Sequence, residues 1–198
     1  MRDPDLQRFI DVLEDAVMNS LEEQSDLSGF AARVFDLTRQ DTGEPAPSID
    51  AGPLPVCRHL APALVTAATG TKATAAVSDA FSHLAPKLAW QRRPEGPNDP
   101  AGFAENHANT TLVGVDGIER RSDIRIGASL LAPLTVYPDH SHPPEEMYLV
   151  LSEGDWRNAD VGWRTPGIGG LVHNPPGIVH AMRSGDAPLF AVWCLLTG

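Results

Sequence analysis

Residues 139–154, DHSHPPEEMYLVLSEG, place several side chains capable of metal binding or proton transfer close together. They are His140, His142, Glu146 and Tyr148. Imidazole nitrogens and carboxylate oxygens are ligands that divalent first-row metals accept without any thiolate. Side chains two residues apart share one face of a strand, so we expect Glu146 and Tyr148 to point to the same side. The stretch predicts a metal site at the mouth of a β-barrel.

One such cluster needs a partner from elsewhere in the chain to complete a coordination sphere. Residues 169–180, GGLVHNPPGIVH, supply a candidate in His180, which follows a turn built by Pro175, Pro176 and Gly177. A tyrosine beside a bound cation also becomes a better base, because the positive charge lowers the pKa of its hydroxyl. Together the two stretches predict one divalent metal site with a tyrosine beside it.

The first ninety residues carry the periodicity of helices. Asp3 and Pro4 are typical of a helix start, and an apolar stripe follows at helical spacing: Leu6, Phe9, Ile10, Leu13 and Val17. Further helices are predicted over Phe30–Leu37 after Gly29, over Arg58–Ala68 and over Thr74–Trp90, with Pro86 as an interruption. The Pro/Gly-rich segments 41–55 and 91–102 predict loops.

The second half reads as short strands separated by Gly, Pro, Asn and Asp, which is typical of an antiparallel sandwich or barrel. The predicted strands are 110–115, 124–131, 134–137, 147–151, 170–172, 178–182 and 189–196. We therefore predict a helical N-terminal extension over residues 1–90 and a β-barrel carrying the metal site over residues 104–198.

Composition narrows the classes of partner. The chain has 198 residues and a formal net charge of −11, which disfavours nucleic acid and anionic membranes. No run of 18 apolar residues and no signal peptide is present, so we expect a cytoplasmic protein. Cys57 and Cys194 stand far apart in the sequence and predict reduced thiols rather than a disulfide framework or a zinc site.

The two ligand stretches resemble the paired motifs of the cupin superfamily. The first motif is matched by His140, His142 and Glu146, and the second by Gly169, Pro175, Gly177 and His180. One departure is Leu134, where the motif has glycine. With the helical N-terminus included, nearly the whole chain resembles the bacterial cupin-type dimethylsulfoniopropionate lyases of the Q type.

This resemblance implies a mainly β cupin barrel (a double-stranded β-helix or jelly roll) and a specific reaction. Dimethylsulfoniopropionate, a small sulfonium carboxylate, would be cleaved to dimethyl sulfide and acrylate by β-elimination. One divalent metal ion (zinc, iron or manganese) would be held by His142, Glu146 and His180, with His140 or Tyr148 as the fourth ligand. Tyr148 would remove the proton α to the carboxylate.

A sulfonium cation is also attracted to an aromatic face. Candidate aromatic residues are Tyr137, Trp163 and Trp193, of which we select Tyr137 and Trp193 as substrate-binding residues. The remaining histidines carry no neighbouring ligands: His59, His83 and His107 are expected to be surface or capped residues, and His173 to have a structural role.

Other functions fit the same ligand set. Cupins also include iron dioxygenases and isomerases, and a non-catalytic zinc-binding sensor would use the same side chains. Tyr148 separates these hypotheses, because a base beside the metal favours proton abstraction and neither an oxygenase nor a sensor needs one. The sequence leaves the choice of metal open, and a homodimer stays an open alternative.

Overall fold

Five α-helices occur in the part of the chain described by the computed structural model, which covers residues 1–21, 26–46, 54–94, 96 and 99–198. They are α1 (Pro4–Ser20), α2 (Asp26–Gln40), α3 (Leu60–Ala68), α4 (Lys72–Leu84) and α5 (Phe103–Asn106). Turns of 3₁₀ helix cover Pro55–His59 and Ala85–Lys87. Within the described residues, no helix has both the length and the apolar character needed to cross a bilayer.

The strands form two sheets. Their bounds are β1 (Glu44–Pro45), β2 (Trp90–Gln91), β3 (His107–Val113), β4 (Glu119–Arg120), β5 (Ile124–Leu131), β6 (Val136–His140), β7 (Glu146–Val150), β8 (Asp155–Asn158), β9 (Leu171–Asn174), β10 (His180–Arg183) and β11 (Leu189–Leu196). The large sheet has the order β1-β4-β3-β5-β11-β7-β9, with β2 also paired to β3, and the small sheet has the order β6-β10-β8. The expected cupin-type barrel with a helical N-terminal region is confirmed.

The central strands β5, β7 and β11 of the large sheet are buried on both faces, which explains their nearly continuous apolar runs. Alternate residues of β11, such as Phe190 and Val192, pack in one core with the helices. Phe81 of α4 meets Phe190 edge-on, with ring centroids 4.9 Å apart. The alternate residues of β11 that point to the other face of the sheet, including Trp193, pack in a second cluster inside the barrel. Helices and barrel therefore share a hydrophobic core across the outer face of this sheet.

An ion pair joins the N-terminus to the barrel. The guanidinium of Arg2 donates from Nε to Glu119 Oε2 at 2.6 Å and also bonds to the carbonyls of Thr38 and Asp41. Both charged side chains are 4% exposed. The next residue, Asp3, precedes α1 and caps it: its side chain accepts from the amides of Asp5 and Leu6, as its position before Pro4 predicts.

Several predicted helix bounds are wrong. The helix expected to reach Trp90 ends at Leu84, because Pro86 lacks the amide donor that another turn requires. Trp90 instead begins β2 and pairs with Thr110. The helix expected after Gly29 already begins at Asp26, and Gly29 lies inside it with open space around its Cα.

Strand predictions are correct for 124–131 and 189–196 and shifted elsewhere. The strand expected from Leu134 begins at Val136, because Leu134 occupies a turn with φ of 57°. The strand expected from residue 178 begins at His180. β8 is missed altogether, since its sequence DWRN holds a single large apolar residue. In the two predicted loops, 41–55 and 91–102, residues 47–53, 95, 97 and 98 lie outside the described part of the chain.

Candidate metal centre and adjoining cavity

Three strands and one turn bring the predicted ligands together. His140 ends β6, Glu146 begins β7 and His180 begins β10, where it pairs directly with His140 across the small sheet. His142 lies in the connection between β6 and β7. Gly177, with φ of 72°, donates its amide to the carbonyl of His142 at 2.9 Å, so the turn before His180 holds the loop that carries His142.

The ligand atoms of His140, His142 and His180 all lie within 4.8 Å of one another. Glu146 Oε2 lies 3.3 Å from Nε2 of His142 and 3.2 Å from Nε2 of His180. Ligands about 2.1 Å from a tetrahedral ion are separated by about 3.4 Å. The buried Nε2 of His180 has no hydrogen-bond partner among the described atoms. These donor atoms therefore fit one divalent cation.

Backbone carbonyls fix the orientation of all three imidazoles. Nδ1 of His140 contacts the carbonyl of Pro138 at 2.9 Å, Nδ1 of His142 that of Pro144 at 2.9 Å, and Nδ1 of His180 that of Ile178 at 3.0 Å. A carbonyl oxygen only accepts, so each Nδ1 must carry the proton that it donates. In the neutral ring, Nε2 then presents a lone pair to the site.

Glu146 is held as a carboxylate at the centre of the cluster. Burial would raise the pKa of Glu146, but hydrogen bonds and positive charge from His142 and His180 in their imidazolium form outweigh it and lower that pKa to about 2. Asn174, the residue opposite Glu146 on β9, donates its side-chain amide to Oε2 at 3.1 Å. Burial and the neighbouring His180 lower the pKa of His140 to about 4, which keeps this imidazole neutral near pH 7.

A cavity of about 330 Å³ opens beside the cluster. Its walls include His140, His142 and Glu146 together with Tyr148 and Trp193. Tyr148 is 3% exposed. Burial, and then the charge of Glu146, raises the pKa of Tyr148 well above its usual value. Without a positive charge nearby, this hydroxyl keeps its proton at neutral pH.

Trp193 lies across the sheet between Tyr148 on β7 and Gly127 on β5. A Cβ at position 127 would overlap the Trp193 ring and the carbonyl oxygen of Thr110. Glycine is therefore required at residue 127, because only a bare Cα leaves room for the indole against the strand. The arrangement presents an aromatic surface to the cavity next to Tyr148.

Tyr137 of β6 also lines the cavity and is 5% exposed. Its ring meets Phe103 edge-on at 5.0 Å and lies 4.6 Å from the ring of His140. Burial raises the pKa of the Tyr137 hydroxyl. Its side chain therefore contacts both the proposed metal ligands and the cavity.

Some predicted positions differ in the structure. His107, expected at the surface, is 1% exposed and stacks on Phe103 with centroids 3.8 Å apart. Its Nε2 accepts from the amide of Arg93 at 3.1 Å, and this contact fixes the chain segment at the cavity rim. Trp163 does not line the cavity; it is 39% exposed and packs under Arg183. His173 pairs with Glu145 at 2.8 Å, on the side of the strand away from Glu146.

The sequence interpretation did not single out the polar residues that support the site. Asn174 was one of them, although it precedes the two prolines of the second motif. Arg125, Gly127 and Ser129 also line or approach the cavity from β5. Their alternation with Ile124, Ile126, Ala128 and Leu130 in the sequence IRIGASLL was the available signal, since alternate residues face opposite sides of a sheet.

Comparisons with known proteins converge on one family. A family model described as dimethylsulfoniopropionate lyase matches residues 31–191. The putative dimethylsulfoniopropionate lyase DddL of Cereibacter sphaeroides is 32% identical over 132 residues, or 67% of this chain and 54% of the relative. Dimethylsulfoniopropionate lyase DddQ of Ruegeria pomeroyi is 30% identical over 123 residues, or 62% of this chain and 61% of the relative.

These matches span between about half and three fifths of the length of the two curated relatives. The crystal structure of the dimethylsulfoniopropionate lyase DddQ from Ruegeria pomeroyi DSS-3 is similar over 98% of this chain and 92% of that chain, with a TM-score of 0.75 and 23% sequence identity. At that identity the likeness establishes a common fold.

Proposed function

The chain belongs to the dimethylsulfoniopropionate lyase family, and we propose that it is a metal-dependent carbon–sulfur lyase that cleaves dimethylsulfoniopropionate to dimethyl sulfide and acrylate. The observation that carries this proposal is that Tyr148 lines the same cavity as the histidine and glutamate cluster. A proton acceptor beside a cation site is what abstraction of a weakly acidic proton requires.

In this proposal the metal ligands are His140, His142, Glu146 and His180. Their imidazoles offer Nε2 because each Nδ1 donates to a backbone carbonyl. A bound zinc, iron or manganese ion would supply positive charge that stabilises the charge developing on the substrate carboxylate and favours the phenolate of Tyr148. His140 takes the fourth position because its ligand atom lies in the same cluster as those of His142 and His180.

Tyr148 is the base in this reaction. Its phenolate oxygen takes the proton from the carbon α to the carboxylate. The electron pair of that carbon–hydrogen bond forms the double bond of acrylate, and the bond from the β carbon to sulfur breaks as its electrons leave with neutral dimethyl sulfide. Burial of Tyr148 excludes the water that would otherwise compete for the proton.

Trp193 and Tyr137 both line the cavity and bind the substrate in this proposal. The sulfonium cation lies against the indole of Trp193, where a cation over an aromatic face gains about 0.5–2 kcal/mol. Gly127 leaves room for this ring against the sheet. The sulfonium loses its charge when the carbon–sulfur bond breaks, so this attraction weakens once the sulfide has formed, which favours release of product.

The test is headspace gas chromatography for dimethyl sulfide after the purified protein is incubated with dimethylsulfoniopropionate and zinc, iron or manganese in separate reactions. Wild type is expected to release sulfide only with metal. The Tyr148→Phe variant is expected to lose at least a hundredfold in rate, within the range of about 10²–10⁴ for a proton-transfer residue. Metal content of the variant, measured by plasma emission, should match wild type.

Two results would count against the proposal. Absence of sulfide from wild type with every metal supplied would contradict the lyase activity itself and would favour a dioxygenase, isomerase or zinc-sensor function. Full activity of Tyr148→Phe with metal bound would leave the lyase in place and remove Tyr148 as its base.

A further inference from the structure

A chain of three polar side chains lines the cavity wall beside Trp193, whose ring lies over Gly127, two residues before Ser129. Ser129 of β5 and Asn109 of β3 are direct partners in the sheet. Ser129 Oγ donates to Asn109 Oδ1 at 2.8 Å, and Asn109 Nδ2 donates to the hydroxyl oxygen of Tyr137 at 3.4 Å. All three residues line the cavity. The contacts join the large sheet to the small sheet beside the candidate metal centre.

The direction of these hydrogen bonds determines where the Tyr137 proton points. A phenol has one proton and can both donate and accept. The amide of Asn109 presents Nδ2 to Tyr137 and Oδ1 to Ser129, so Asn109 donates to the Tyr137 hydroxyl and does not take its proton. The hydroxyl proton must therefore find its acceptor elsewhere.

The aromatic neighbours of Tyr137 within the described residues offer no acceptor. Nδ1 of His107 donates to the carbonyl of Phe103, and Nε2 of His107 is occupied by the amide of Arg93. Nδ1 of His140 donates to the carbonyl of Pro138, while its Nε2 belongs to the cluster of ligand atoms. The remaining direction for the Tyr137 proton is the cavity itself.

We propose that Asn109, held by Ser129, is a positioning residue that directs the hydroxyl proton of Tyr137 into the cavity to bind a carboxylate oxygen of the substrate. This inference rests on the proposed function. Of the two ends of a sulfonium carboxylate, only the carboxylate can accept a hydrogen bond. The donor therefore selects the orientation in which the acid group lies at Tyr137 and the sulfonium points away from this hydroxyl.

The substitution Asn109→Asp tests this direction with almost no change in shape. An ionised aspartate still accepts from Ser129 but also accepts from Tyr137, so the phenol proton turns away from the cavity. A hydrogen bond to a charged group contributes enough to change affinity about tenfold to a hundredfold. We expect the KM for dimethylsulfoniopropionate to rise by that factor, with a smaller change in kcat.

The affinity for acrylate, measured by calorimetry on the zinc-loaded protein, should fall by the same factor as a readout independent of turnover. Asn19→Asp is the matched control, because it adds the same charge at an exposed position of α1. It should leave both quantities unchanged. Ser129→Ala provides a second variant. It removes the hydrogen bond that fixes the side-chain amide of Asn109, so this amide can rotate, and KM should also rise, by a smaller factor.

A double-mutant cycle separates positioning from a structural role. In a Tyr137→Phe background the hydroxyl is absent, so Asn109→Asp should add less than a twofold further change in KM. If the effects of Asn109→Asp and Tyr137→Phe on KM simply multiply, the inference is overturned. It is also overturned if Asn109→Asp keeps the wild-type KM and acrylate affinity, since Asn109 would then already accept from Tyr137 in the wild type. If wild type itself releases no sulfide, the proposed function fails, and this outcome is distinct from an active wild type with an unaffected Asn109 variant.

Discussion

Removing the amide of Asn174 should weaken metal binding without unfolding the barrel. Asn174 is 1% exposed and donates to Glu146 Oε2, the oxygen that also lies nearest His142 and His180. Asn174→Ala leaves the carboxylate free to rotate and removes a hydrogen bond to a charged group, a loss of about 1.5–3 kcal/mol. Residues that orient metal ligands typically change metal affinity about 10–100-fold, so we expect the dissociation constant for zinc to rise within that range.

The assay is competition between the protein and a chromophoric chelator for zinc, followed by absorbance. His173→Ala is the control, because His173 is the neighbour of Asn174 on β9 but its ring pairs with Glu145 outside the cluster. The control should bind zinc within about twofold of wild type. The reasoning is refuted if Asn174→Ala binds zinc as tightly as the control does, since Glu146 would then be oriented without its amide partner.

Three further predictions concern stability and shape. Gly127→Ala should lower the free energy of unfolding by about 1–3 kcal/mol and displace Trp193; a urea titration followed by tryptophan fluorescence would register both, and an unchanged midpoint would contradict the overlap. Arg2→Ala should cost about 3–5 kcal/mol because it leaves Glu119 buried without its cation, and the Arg2→Met/Glu119→Leu pair should recover most of that loss in the same titration. Leu134→Gly should raise the melting temperature in calorimetry, because the left-handed conformation of residue 134 costs leucine about 1–2 kcal/mol. A lower melting temperature would show that the exposed leucine side chain stabilises the fold by more than this cost.

Local patterns in the sequence predicted much of the fold. The stripe of α1 and the strands 124–131 and 189–196 were correct, because their periodicity reflects which face is buried. The error at Trp90 arose because Trp90 continues the apolar pattern of α4 while contributing to the sheet instead. β8 was missed because its pairing with β10 depends on main-chain hydrogen bonds that polar side chains do not reveal.

The two stretches that carry the proposed ligands could be located because both lie in compact motifs, and their four side chains lie close together in the structure. Their partners were not predictable in the same way. The contact between Asn174 and Glu146 depends on the register of β9 against β7, and the contact between Asn109 and Ser129 on the register of β3 against β5. The burial of His107 likewise depends on the stacking of its ring on Phe103, the first residue of α5. Register depends on turn geometry and on how the strands pack together, so local patterns in the sequence were not enough to predict it.

The carbonyls that orient the three imidazoles all belong to residues two positions away along the chain: Pro138, Pro144 and Ile178. The choice of which nitrogen faces the centre of the cluster is thus encoded within three tripeptides. A core substitution that loosens the barrel would spread the three rings apart but leave each Nδ1 donating to its own carbonyl. The spacing of the rings and the choice of the nitrogen that each ring presents can therefore vary separately as the rest of the chain changes.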